Sequence, residues 1–129
     1  MAFDLAEAWI AETEARLGAR LPASYRASMM RRNGGSIEAE DEEWTLYPIR
    51  DGGDRKRLAR TCNDILGETA SCREWNGFPA AALAIAGNGG GDQLVFLRDG
   101  AAYAPALYRW RHETRALAAL AADFAALSG

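Results

Sequence analysis

The chain has 129 residues, 49% hydrophobic and 26% charged, with a formal net charge of −3. That length is typical of one domain and suffices to fold without a disulfide or metal, so residues 1–129 are read as a single domain. The acidic balance argues against non-specific nucleic-acid binding, and no stretch approaches the ~18 consecutive apolar residues of a membrane span.

The opening MAFDLAEAWIAETEA carries acids where a secretory signal carries a basic region and an unbroken apolar run. Cys62 and Cys72 stand ten apart, outside any CxxC pattern, and read as reduced thiols of a cytoplasmic protein. DLAEAWIAETEARLG predicts a helix. Asp4 and Glu7 have capping-box spacing, Phe3, Ala6, Ile10, Thr13 and Leu17 share the buried face, and Gly18 follows the last turn. A second helix starts at Pro22, ends on Arg31 and Arg32, and is stopped by Asn33, Gly34 and Gly35.

After the acidic run EAEDEE, the segment EWTLYPI alternates Trp44, Leu46 and Pro48 against Thr45, Tyr47 and Ile49, as a strand does. Asp54 caps a third predicted helix reaching about Gly67, with Leu58, Cys62, Ile65 and Leu66 inward and a basic run on its wet face. Residues 68–77 are weakly patterned. ALAIA and QLVFL read as strands, and Asp99-Gly100 is a hairpin turn leading to PALYRW. The tail TRALAALAADFAALSG reads as a closing helix with Leu117, Leu120, Phe124 and Leu127 inward. Without βαβ alternation, this order gives an α+β fold with an antiparallel sheet packed by N-terminal and C-terminal helices.

The stretch GNGGGDQL follows a strand, where many proteins hold phosphate. Gly87, Gly89, Gly90 and Gly91 lack the dinucleotide spacing, another strand follows instead of a helix, and Asp92 repels an anion. The stretch reads as a tight turn, with Asp92 bonding nearby amides. His112, the lone histidine, has neither a nucleophile elbow nor a metal-ligand set around it. No catalytic residue, cofactor or metal is expected.

The spacing of Ile10, Glu14, Leu17, Gly18, Leu21, Pro22 and Tyr25, ending at Asn33-Gly34-Gly35, resembles the opening signature of the SUKH superfamily. These are bacterial relatives of the yeast Smi/Knr cell-wall assembly regulators. FPAAALAIAGNGGGDQLVFL is similar to the family's second signature, and PALYRWRHE with LAALAADFAAL to its terminal strand and helix. The resemblance implies a small α+β domain that acts by binding protein. It implies an immunity protein neutralising a polymorphic toxin domain, such as a nuclease or deaminase, or alternatively a housekeeping scaffold without a toxin partner. Neither membrane nor nucleic acid is expected as a partner, and the oligomeric state is left open.

Two surfaces are candidates for the partner. Glu38, Glu40, Asp41, Glu42 and Glu43 form a local acid block suited to a basic groove, with Trp44 beside it as an aromatic anchor. Tyr103, Tyr108, Arg109 and Trp110, projecting from the predicted sheet, are the second. The bland alternative is a solvated acidic loop and aromatics that face the core.

Overall fold

The computed structural model describes residues 3–127. Helices α1 (Glu7–Leu17) and α2 (Ala23–Arg31) lead into the hairpin β1 (Ser36–Ala39) and β2 (Glu42–Leu46). Short helices α3 (Arg55–Arg60) and α4 (Ile65–Cys72) follow, then β3 (Ala82–Gly87), β4 (Gln93–Asp99), β5 (Ala102–Trp110) and β6 (Leu117–Ala121). The six strands form one sheet in sequence order, every pair antiparallel, so the α+β expectation holds.

Both faces of the central strands are covered, which is why β3 and β4 are buried almost continuously. On one face Ile10, Tyr25 and Met29 from α1 and α2 pack with Leu46, Leu94, Phe96 and Leu107. On the other, Cys72 of α4 packs with Ala82, Ala84 and Val95, joined by Phe78 and Tyr108. Small residues in β3 allow α4 to sit close. The Thr69 hydroxyl accepts the Ala84 N–H at 2.9 Å beside a register shift between Ala84 and Ala86, so the irregular strand leaves no orphan donor there. Burial among these groups pushes the Cys72 thiol up to about 11, while Cys62 lies exposed.

Several local expectations are corrected. Asp4 does not cap α1, whose N-cap is Ala6 without a side-chain bond. Asp4 instead holds Arg57, through its carbonyl and its carboxylate. The single helix expected over 54–67 is two. Asp54 caps the first and Asp64 the second, accepting from Arg57 and Gly67 backbone N–H groups. That break turns Leu58 and Cys62 outward. The basic run is only partly a wet face: Lys56, Arg57 and Arg60 lie over the Phe3 ring, fixing α3 to the N-terminal segment.

The largest correction is the closing helix. Residues 117–121 form edge strand β6 paired with β5, and Phe124–Ala126 is only a 3-10 turn capped by Asp123. The alanine-rich tail has helical propensity, but a place beside β5 satisfies the outer hydrogen-bonding groups of that strand. The expected helix also ran through 128–129, outside the described residues. Among the described residues, no helix is long and apolar enough to cross a membrane.

Candidate partner-binding surface

The acid block is a β-hairpin rather than a flexible loop. Glu38 stands opposite Glu43, Ala39 opposite Glu42, and Glu40 and Asp41 make the two-residue turn. Both turn residues have positive φ, 53° and 61°, which the twist of a two-residue hairpin requires and which Asn-Gly supplies more easily.

Alternation along β2 sends Trp44 and Leu46 inward. Trp44 is wholly buried, and its indole N–H donates to the Ala39 carbonyl at 3.1 Å. It offers no surface to a partner, so the anchor expectation is corrected: the face that carries Leu46 into the core carries Trp44 with it. Its role is to floor a charge cluster, with the Arg109 guanidinium 5.0 Å from the ring centroid.

Arg109 arrives from β5, its side chain only 8% exposed. Its Nε and Nη2 donate to Asp92 Oδ2 at 3.0 and 2.6 Å, and its Nη1 donates to Glu40 at 3.0 Å and to Glu42. Asn88, in the glycine-rich turn, donates to Glu42 at 3.1 Å. The turn and the acid hairpin are thus tied together through one arginine. The Arg109 hydrogen bond, with help from Asn88, holds the Glu42 carboxyl below its usual range. Burial would raise Asp92, but hydrogen bonds from His112 and Arg109 outweigh it and hold this carboxyl low as well. Burial would depress Arg109, yet its bonds to Asp92, Glu42 and Glu40 keep it firmly charged.

Asp92 also takes the His112 backbone N–H at 3.2 Å, and His112 Nδ1 lies 2.8 Å from the same oxygen. An ionised carboxylate only accepts, so Nδ1 carries the proton. Asp92 was expected to bond amides of its own turn. Asn88 does that instead, accepting from Gly90, and Asp92 reaches across to β5 and the segment after it. The turn's glycines serve this reach: Gly91 has φ +100°, and a Cβ there would lie 2.8 Å from His112 Nδ1.

The acids therefore divide. Glu40 and Glu42 are committed to Arg109, whereas Glu38, Asp41 and Glu43 are exposed, and among the described residues no ion pair neutralises them. Of the second set of candidates, Tyr103 and Arg109 are buried rather than projecting to a partner, Tyr108 is half-buried beside Val95, and Trp110 is buried with its indole N–H donating to Gly77 at 3.3 Å. Trp110 as a directly exposed contact is corrected for the same parity reason as Trp44: even positions of β5 face α4. Trp75 lies over it instead, stacked at 5.7 Å between ring centroids and 40% exposed. Sequence reasoning passed over Trp75. Its signal was a lone tryptophan in a weakly patterned stretch just before an Asn-Gly stop.

A model described as the SMI1 / KNR4 family (SUKH-1) matches residues 4–128. The chain belongs to this family. The search of curated proteins and the search of solved structures each find no match. In this SUKH-1 chain the two signature turns have structural work: Gly18 closes α1 in the left-handed conformation, and the glycine-rich turn seats His112 and Asn88. Among the described residues, no group of three His, Cys, Asp or Glu side chains could hold a metal ion.

Proposed function

We propose that the chain is a non-enzymatic, single-domain immunity module of the cytoplasm that neutralises a cognate toxin domain by binding it. The acidic hairpin would sit in a basic groove of the toxin, the kind that a nuclease or deaminase uses to hold nucleic acid. The carrying observation is the Glu38–Glu43 pair, two like charges directly opposite on adjacent strands. Such a pair destabilises a hairpin, and two non-glycine residues at positive φ add strain beside it. A hairpin serving folding alone would carry opposite charges and an Asn-Gly turn. Acidity kept at the expense of stability fits a surface whose work is attraction of a cationic partner. Family membership supports a protein as that partner.

The test is growth rescue on co-expression with a toxin-type domain encoded beside the gene, followed by isolation of the complex. Rescue with a stoichiometric complex is expected. Substituting Glu38, Asp41 and Glu43 together by Lys should slow association and flatten its dependence on salt. A well-folded chain that neither rescues nor binds, and that recovers only the cell's own proteins in a pull-down, would replace immunity with the scaffold role.

A further inference from the structure

Next to the acid cluster, on the opposite face of the sheet, is a cleft of about 410 Å³ lined by Trp75, Asn76, Gly91, Trp110, His112 and Arg115. We infer that this cleft docks a large apolar side chain carried next to a carboxylate on a protein partner. The volume falls in the range of sites that enclose such a group. Two tryptophans stack at an interplanar angle of 24°, and Phe78 meets the Trp110 ring edge-on at 5.1 Å. The exposed Trp75 ring is therefore held in place before any partner arrives, which removes most of the ordering cost that an aromatic anchor otherwise carries. Leu117, directly opposite Trp110 in the β5–β6 register and 37% exposed, extends the apolar surface.

The charge of the rim selects the ligand. The ionisable groups lining the cleft are His112 and Arg115, both basic in type. Glu113 and Asp92 line the neighbouring cleft, which shares His112. Asp92 is occupied by Arg109 and His112, and Glu113 lies 4.0 Å from His112 Nε2, so Arg115 is the cation the rim offers a ligand. Both rim side chains rest on glycine. A Cβ on Gly91 would meet the His112 ring at 2.8 Å, and one on Gly77 would meet Arg115 Cδ at 2.6 Å. A cation-bearing ligand would meet Arg115, whereas a carboxylate gains a partner whose side-chain stem already lies against Gly77. This inference is independent of whether the protein partner is a toxin.

The probes are end-capped tetrapeptides centred on Phe-Glu, Phe-Gln, Phe-Lys and Ala-Glu, titrated while the indole N–H resonances of Trp75 and Trp110 are followed by NMR. Saturable shifts are expected with Phe-Glu. Phe-Gln should bind about fivefold more weakly, the worth of one partly exposed ion pair, and Phe-Lys more weakly still. Ala-Glu should leave both resonances in place. Trp75→Ala, with Trp110 as reporter, should abolish binding. Arg115→Gln should reduce Phe-Glu to the level of Phe-Gln while leaving Phe-Gln unchanged, and thermal melts would confirm that both variants fold. Absence of saturation with Phe-Glu, equal binding by Phe-Lys, or unchanged binding in Trp75→Ala would each overturn the assignment.

Discussion

Arg109 and Trp110 are successive residues of β5, and the strand sends them to opposite faces of the sheet. On one face every polar atom of the Arg109 head is met by a carboxylate, with the Trp44 ring beneath. On the other, Trp110 is buried by a tryptophan that is itself left 40% open. The charged side is consumed in holding the hairpin to the sheet, and the apolar side is left unfilled. Charge count alone is thus a poor guide to a binding surface. What matters is the charge left over after internal pairing, here Glu38, Asp41 and Glu43.

Loss of Arg109 should damage the charged face most severely. Arg109→Met leaves Asp92 buried beside a weaker partner, Glu40 and Glu42 repelling each other, and the Trp44 ring uncovered. Removing one member of a buried pair costs about 3–5 kcal/mol, read as a fall in the urea midpoint. If Asp92→Asn is added, the second loss should be much smaller than in the parent, because the two groups act on one interaction. Additive losses would mean that the cluster is not a unit.

Acid titration probes the same side. The Asp92 carboxyl is held below its unfolded value of about 3.9, so between the folded and unfolded values the unfolded chain binds the extra proton. Stability from this group is therefore complete above about pH 4 and is lost as pH falls through the folded value. Melts from pH 6 to pH 3 should show a steep loss that Arg109→Met flattens. An equal slope in both proteins would remove Asp92 as its source.

At the boundary between the faces, Gly91→Ala should cost about 1–2 kcal/mol, because an L-residue takes a left-handed φ and its Cβ strikes the His112 ring. Gly89→Ala is the control. It shares the positive φ at +84°, but its Cβ would meet open space, so the difference between the variants isolates the contact with His112. Equal losses would assign the whole cost to the backbone.

How far these two faces were legible follows from how local their causes are. A helix beginning at Pro22, a hairpin turn at Asp99-Gly100 and the alternation that carries Leu46 depend on neighbours in the chain, and each was readable to within a residue. Pro22 is the N-cap of α2 rather than its first residue, and Asp99 pairs with Ala102, so the turn is Gly100-Ala101. The Arg109 cluster joins residues 17, 67 and 69 positions apart, and periodicity carries no information about such pairs. The same limit explains β6. Alanine and leucine at three- and four-residue steps favour helix locally, but the unpaired edge of β5 decides the outcome, and nothing in 117–121 encodes that edge. The break between α3 and α4 had a readable cause in Asp64, a second cap ten residues after Asp54, masked by apolar residues on both sides.

On the open face, Trp75→Ala should cost about 2 kcal/mol of stability, the worth of one aromatic pair plus the burial of the covered part of the ring, while removing peptide binding altogether. A loss as large as that of Arg109→Met would show that Trp75 is a core residue and that the two faces do not differ in kind.

The smallest expected change in stability is also the one whose sign is most telling. Glu43→Lys replaces a like-charge cross-strand pair with an opposite-charge pair against Glu38, on strands whose register is already fixed by Trp44 and Leu46 in the core. It should raise stability by about 0.5 kcal/mol at low salt, with the gain shrinking as salt is added. The same substitution should weaken binding to a basic partner, because it removes one of the three carboxylates that the Arg109 cluster leaves unpaired. A variant that is both more stable and a poorer binder would show the hairpin's acidity to be maintained for association. If Glu43→Lys instead lowers stability while leaving partner affinity unchanged, the acids belong to the fold, and the binding surface must be sought on the Trp75 side of the sheet.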